Sequence, residues 1–159
     1  MLADSYDEIS ELSVGQSTRL LRAIRKVDSL PVLLKLVENT RSYPRDASRL
    51  YDEFEAAKRN QAECLQSILE LDDQHGFPIL VIEDSGAEPI QSLSKKSHFS
   101  AEEVLLLALK LSAALQELHS LGLIHRGIEP RNIFYNMETQ ELKLGGLRQA
   151  EKLPIHYVA

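Results

Sequence analysis

The chain has 159 residues, 43% of them hydrophobic, enough to bury a core and ordinarily the size of one domain. Its 18 basic and 24 acidic residues leave a net charge of -6, which argues against nucleic acid or an anionic membrane surface as the principal partner. With a single cysteine, Cys64, neither a disulfide framework nor a cysteine-based metal site can form within one chain; Cys64 is expected near a helix end as a small buried apolar residue.

The N-terminus Met1-Leu2-Ala3-Asp4-Ser5-Tyr6-Asp7-Glu8 lacks the basic region and apolar run of a signal peptide. No apolar stretch approaches membrane-spanning length, since the run 104–109 is cut off by Lys110. A cytoplasmic location is therefore expected. Three strands are predicted first, one carried by Ile9 and Leu12, then 20–24 and 32–37, the last two separated by the turn Lys26-Val27-Asp28-Ser29-Leu30. A helix is predicted over 45–62, preceded by Pro44, with Leu50, Phe54 and Ala57 on its apolar face. Two more strands, 65–71 and 77–83, flank Asp72-Asp73-Gln74-His75-Gly76.

Beyond a linker at 84–89 the pattern becomes helical. Ser100 and Glu103 form the capping box of a helix over 101–121, which Gly122 ends. Its many leucines exceed one narrow stripe, so burial on most sides is expected. A hairpin of 133–135 and 141–144 follows, turning at Asn136-Met137-Glu138-Thr139, and 151–159 shows no clear periodicity.

Four motifs lie on this frame in order. Ser13-Val14-Gly15-Gln16-Ser17-Thr18-Arg19-Leu20 is similar to GxGxxGxV with only Gly15 of its glycines kept, and Pro31-Val32-Leu33-Leu34-Lys35-Leu36-Val37 to the VAIK strand. His125-Arg126-Gly127-Ile128-Glu129-Pro130-Arg131-Asn132-Ile133-Phe134 resembles HRDLKPxNIL, and Leu142-Lys143-Leu144-Gly145-Gly146-Leu147-Arg148 resembles KLxDFG. Together they resemble the protein-kinase family, of the serine/threonine type, over about residues 6–150.

The resemblance implies an α+β fold: a kinase-like small lobe over 1–84, of five antiparallel strands and one helix, and a partial, mainly helical large lobe over 85–159. It also implies that the three reactive positions are degenerate. Gly127 stands for the aspartate base, Glu129 for the lysine at the transferred phosphate, and Gly146 for the metal-binding aspartate. A general base supplies a factor of about 10² to 10⁴ and the metal several kcal/mol. A carboxylate about 4 Å from a phosphate oxygen opposes binding by on the order of 1 kcal/mol in water. Ordinary phosphoryl transfer is not expected; the reading is a truncated pseudokinase, the alternative a phosphotransferase with an altered mechanism.

Gly15, Lys35, Glu53 and Asn132 remain as a residual nucleotide site, with Glu55 as the fallback acid. Weak ATP binding without a conventional magnesium site, or no cofactor, is expected. Lys35 and its acid are phosphate-binding groups, an ion pair fixing helix to sheet, or two solvated surface charges. Leu12, Leu20, Leu33, Ile82 and Phe134 would wall an adenine site below the hinge Ile82-Glu83-Asp84-Ser85, or form a closed core. His125 reads as a polar core residue holding the loop, Arg126 as paired locally, and Arg131 and Arg148 as solvated.

Aspartate is expected to fit sterically at both 127 and 146. The chain ends soon after Gly146, so the family's activation segment and surrounding helices are not encoded here; either the chain is a piece of a larger one or it covers its apolar faces otherwise. A protein partner or self-association is expected through the helix over 101–121, on the face of Leu107, Leu111, Leu115 and Leu118 or its neighbours.

Overall fold

The structure is a computed structural model that describes residues 2–15, 17–37 and 43–153. In chain order its elements are α1 (Leu2–Ser5), β1 (Tyr6–Val14), β2 (Thr18–Arg25), β3 (Leu30–Val37), α2 (Tyr43–Arg59), β4 (Ile68–Asp72) and β5 (Ile79–Glu83). There follow β6 (Glu88–Pro89), α3 (Ile90–Lys96), α4 (Ala101–Ser120), β7 (Leu123–Ile124), β8 (Ile133–Tyr135), β9 (Leu142–Leu144), a 3₁₀ turn (Leu147–Gln149) and β10 (Glu151–Lys152). They divide into two compact units, one of Met1–Arg59 and Ser67–Ser85, the other of Asn60–Gln66 and Gly86–Ala159. The α+β class and the five-stranded antiparallel sheet with its helix are as the resemblance implied.

In the first unit the sheet has the order β1-β2-β3-β5-β4, every pair antiparallel. Strands β3 and β5 read as nearly unbroken apolar runs because both of their faces are covered; Val32, Leu33, Leu34, Ile79, Leu80, Val81 and Ile82 are all buried. Cross-strand partners share a face, so the register sorts the side chains. Leu21, Ala23, Val32, Leu34, Leu36, Ile79 and Val81 form one cluster, closed by Tyr6. The opposite face carries Leu20, Lys35 and Leu80 in one row and Arg22, Leu33 and Ile82 in the next.

Tyr6 is the polar tie on the cluster side. Its ring is buried and its hydroxyl donates to Asp72 Oδ2 at 3.2 Å. Burial, with the Asp72 charge adding to it, pushes the phenol well above its ordinary pKa.

Helix α2 ends at Arg59, three residues short of the expected end, so Cys64 is not at a helix terminus. Its inward positions are Ala47, Leu50, Glu53 and Ala56, with Phe54 and Ala57 half-buried. The expected apolar face was displaced because a buried acid belongs to the inner face, which apolar periodicity does not count. The strand expected at 65–71 divides: β4 begins at Ile68, while Leu65 makes a parallel bridge to Leu144 in the second unit.

In that second unit β6, β8 and β9 form a three-stranded sheet, and β10 pairs with β7. Cys64 is buried there, with its thiol directed at the Ala114 carbonyl. Burial above all, then the Glu117 carboxylate, pushes that thiol up to about 12. Strand β10 and helix α3 lie in stretches where no element was expected. Pro89 immediately before α3 and Lys95 and Lys96 in its last turn are the signals that mark it in retrospect.

Helix α4 begins as expected: Ser100 Oγ accepts from the Glu103 amide, and Glu103 accepts from the Ser100 amide. It ends at Gly122, where φ is 69°. It is not buried on most sides. Leu118 is fully buried and Ala114 nearly so, whereas Val104, Leu105 and Leu109 are 52%, 65% and 69% exposed. The expected face is likewise altered, since Leu107, Leu111 and Leu115 are half-buried and Leu118 is core.

Replacing Leu118 by alanine is expected to destabilise the fold by about 2–5 kcal/mol, and Leu109→Ala to change it by less than about 0.5 kcal/mol. Urea unfolding of the two variants checks this; equal losses would contradict the one-sided burial of α4.

Candidate functional site

Two groups of polar residues are assembled, one in each unit. In the first, Lys35 lies in the middle of β3, beside Leu20 on β2 and Leu80 on β5. Its ammonium donates to Glu53 Oε2 at 2.6 Å, and the Glu53 side chain is only 7% exposed. Glu53, not Glu55, is thus the acid that meets Lys35; Glu55 is exposed and lies 3.4 Å from Lys58. The pair has a geometric cause, since a buried carboxylate requires a cation or hydrogen bonds and a lysine on a covered strand requires an anion.

The other expected residues of this unit are placed around the sheet. Leu20, Leu33 and Ile82 share the face of Lys35 and are buried, and Leu12 is half-buried at an irregularity of β1. Gly15 sits in the tight connection from β1 to β2, where its amide donates to the Thr18 carbonyl at 2.7 Å. A phosphate-cradling loop needs amides directed at the ligand, and this one is directed into its own hairpin. In the hinge, the Glu83 amide donates to Ser67 O at 2.9 Å and the Asp84 amide to Pro31 O at 3.2 Å. The nearly buried Asp84 carboxylate accepts from Arg22 Nε at 2.5 Å and Nη2 at 3.1 Å, a pairing with no signal in the sequence.

The second group contains all the degenerate positions. His125 is buried, with the Gly127 amide donating to its Nδ1 at 3.2 Å and its Nε2 lying 2.9 Å from Gly145 O. Since Nδ1 accepts, the ring proton belongs on Nε2, where it donates to Gly145; the histidine is a strut between the two segments. Arg126, at φ 57°, pairs with Glu151 of β10.

Asn132 is the centre of this group. Its amide nitrogen Nδ2 donates to Gly127 O at 2.8 Å and to Glu129 Oε1 at 3.0 Å. Its backbone amide donates to Glu129 O at 2.8 Å, and its carbonyl accepts from the Gly145 amide at 2.9 Å. Arg131 Nε donates to Glu129 Oε1 at 2.8 Å, so Arg131, although exposed, is paired and not simply solvated. Arg148 is exposed.

Gly146 adopts φ 75° and ψ 38°, in the left-handed region. A Cβ there would lie 2.5 Å from both Cγ and Oδ1 of Asn132 and 2.6 Å from its Nδ2. The neighbouring Gly145 is as crowded, by Gln66 and Phe134. The expectation that aspartate fits at both loop positions therefore holds only for 127, where a Cβ meets nothing closer than 3.5 Å. At 146 any side chain overlaps Asn132 and adds backbone strain of about 1–2 kcal/mol.

For a divalent cation Gly127 and Gly146 offer no carboxylate, the Asn132 nitrogen Nδ2 is bonded to Gly127 and Glu129, and no cluster of three acidic, histidine or cysteine side chains able to hold a metal exists among the described residues. No helix among the described residues is long and apolar enough to cross a membrane.

A five-stranded antiparallel sheet with a lysine on its third strand paired to a helical glutamate, followed by a histidine-anchored loop and a paired hairpin, defines a protein-kinase arrangement. The chain belongs to the protein-kinase family: residues 6–155 match the protein kinase domain. It is 25% identical to a probable myosin light chain kinase of Dictyostelium discoideum over 89% of its own length and 41% of that protein's. It is similarly 25% identical to human ribosomal protein S6 kinase alpha-2, covering 86% of this chain and 18% of the relative. With human serine/threonine-protein kinase H2 the identity is 21%, over 87% of this chain and 36% of that one. The chain thus spans less than half the length of each of these relatives.

Lys35→Met removes a charged hydrogen bond to a buried carboxylate and is expected to destabilise the fold by about 2 kcal/mol. Lys35→Arg should recover less than the full loss, because a planar guanidinium cannot occupy the position of the compact ammonium. Chemical denaturation of the two variants measures both; an unchanged midpoint in Lys35→Met would show that the pair does not fasten α2 to β3.

Proposed function

We propose that this chain is a catalytically defective member of the protein-kinase family, a pseudokinase, that serves as a regulatory or protein-interaction module in cytoplasmic signalling. The observation that carries the reading is the state of the loop: Gly127 has no base to offer and Asn132 packs against Gly146 where a metal-binding carboxylate would begin. A glycine cannot accept the proton of a substrate hydroxyl, and the charge on a transferring phosphoryl group is left without a metal to neutralise it. Glu129 adds a negative charge at the same loop, only partly offset by Arg131.

The intact Lys35–Glu53 pair favours one rival, an ATP-dependent phosphotransferase of serine/threonine-kinase type with an altered mechanism. Transfer of label from radiolabelled ATP to a generic protein substrate separates the two, and clear, saturable transfer abolished by Lys35→Met would overturn the pseudokinase reading.

Nucleotide binding is expected to be weak and insensitive to magnesium, through Lys35 with Glu53 and without a ligand at 146. At 100 times its dissociation constant ATP would stabilise the fold by about 2.7 kcal/mol. A melting shift at low micromolar ATP that appears only with magnesium contradicts this expectation.

The interaction role draws support from α4, whose Val104, Leu105 and Leu109 stand exposed on one side of the helix. A protein partner or a second copy would bind there. Light scattering over a wide concentration range should show self-association that Leu105→Glu with Leu109→Glu abolishes. A monomer throughout, together with no change in partner capture by the variant, would remove α4 from the proposal.

A further inference from the structure

Arg22 and Asp84 form an ion pair on the sheet face that carries the expected adenine walls. Arg22 on β2 stands in register with Leu33 on β3, and Leu33 with Ile82 on β5, so the three side chains share that face. Asp84 follows β5 directly and stays beside β3, its amide donating to Pro31 O at 3.2 Å. Strands β2 and β5 are not neighbours; β3 lies between them, and two strand spacings are about 10 Å. The two side chains nevertheless meet, Arg22 Nε on Asp84 Oδ2 at 2.5 Å and Nη2 on Oδ1 at 3.1 Å. The arginine stem therefore lies along the sheet and crosses β3 beside Leu33, with its guanidinium at the hinge.

Burial agrees with that course. Leu33 and Ile82 are each 1% exposed, and the Asp84 side chain 5%. A carboxylate this buried requires a cation, and Arg22 engages both of its oxygens. Two of the hinge amides are also taken up inside the sheet, Glu83 by Ser67 O and Asp84 by Pro31 O.

We propose that the Arg22–Asp84 pair is a clasp over the adenine place: the stem covers the wall at Leu33 and the ion pair joins β2 to the hinge, so that a planar base enters only after the clasp opens. Leu33 and Ile82 are then part of a closed core with the clasp shut and a base wall with it open. The apparent affinity for a base falls with the fraction of molecules in which the clasp is open. A clasp open in about one molecule in ten lowers it about tenfold.

This inference rests on the reading of a weak nucleotide site in a pseudokinase and deepens it by naming what bars the base. Adenosine is the probe, because it carries the base without phosphates and tests its place without calling on Lys35 or magnesium. Phosphate transfer is not measured, so either reading can fail alone. Calorimetric titration of the whole chain with adenosine compares the native protein with Arg22→Ala combined with Asp84→Ala, which removes both charges together. The double variant should bind at least about tenfold more tightly. No gain in the variant, or tighter binding by the native chain, overturns the proposal. A second measurement needs no variant: the Arg22 Nε–H signal in the nitrogen-15 spectrum of the native chain. It should stay in place as adenosine is raised to millimolar concentration, and a saturable shift within that range overturns the proposal whatever the variant shows.

Discussion

A lysine in the middle of a strand that is covered on both faces must be met by an anion, and this constraint organises the first unit. Strands β3 and β5 are apolar almost throughout, with Lys35 the only charged side chain between Leu30 and Val37. Desolvating an ammonium there is unfavourable by several kcal/mol unless a carboxylate stands within hydrogen-bond reach. Glu53 supplies it at 2.6 Å, and to do so α2 must turn its inner face so that an acid sits among Ala47, Leu50 and Ala56. The pair therefore sets the rotation of the helix, while the apolar residues around it supply most of the adhesion. Such a pair specifies an arrangement more than it adds stability, because desolvation offsets most of its Coulombic gain.

The opposite face of the sheet has no such demand. Its cluster is apolar and is closed by Tyr6, whose single polar atom reaches Asp72. The consequence is a sheet with two unlike faces: one a plain core, the other bearing the charges Lys35 and Arg22, each answered by a buried carboxylate, Glu53 and Asp84.

In the second unit the constraint is steric. Two consecutive glycines, 145 and 146, pass so close to Gln66, Phe134 and Asn132 that neither admits a Cβ without rearrangement. Around them the loop is held by hydrogen bonds: His125 to Gly145, Asn132 to Gly127 and Glu129, Arg131 to Glu129. The result is a loop whose shape persists because its polar groups satisfy one another. Uncharged residues at 127 and 146 and a carboxylate at 129 are compatible with that network.

Much of this was legible from the chain. The apolar runs of β3 and β5, the capping box of α4, the terminating Gly122 and the hairpin around Asn136 are local patterns set by backbone sterics and nearest-neighbour hydrogen bonds, so the sequence alone determined them. Lys35, Glu53 and the loop residues were found through the resemblance of their motifs to those of the protein-kinase family. What only the tertiary structure decided depends on groups far apart in the chain. The inner face of α2 was shifted by a buried acid that periodicity counts as polar, and Leu65 left β4 to bridge Leu144 through a backbone contact that no side chain announces. The leucines of α4 signalled burial all round, but hydrophobicity gives the tendency of a surface to be covered and not whether a neighbour is there to cover it. Gly146 read as a missing carboxylate; its φ of 75° and the Asn132 side chain standing where its Cβ would be appear only in three dimensions. Composition and order fix which groups are available, whereas close approach between segments, set by packing in three dimensions, determines which of them can coexist.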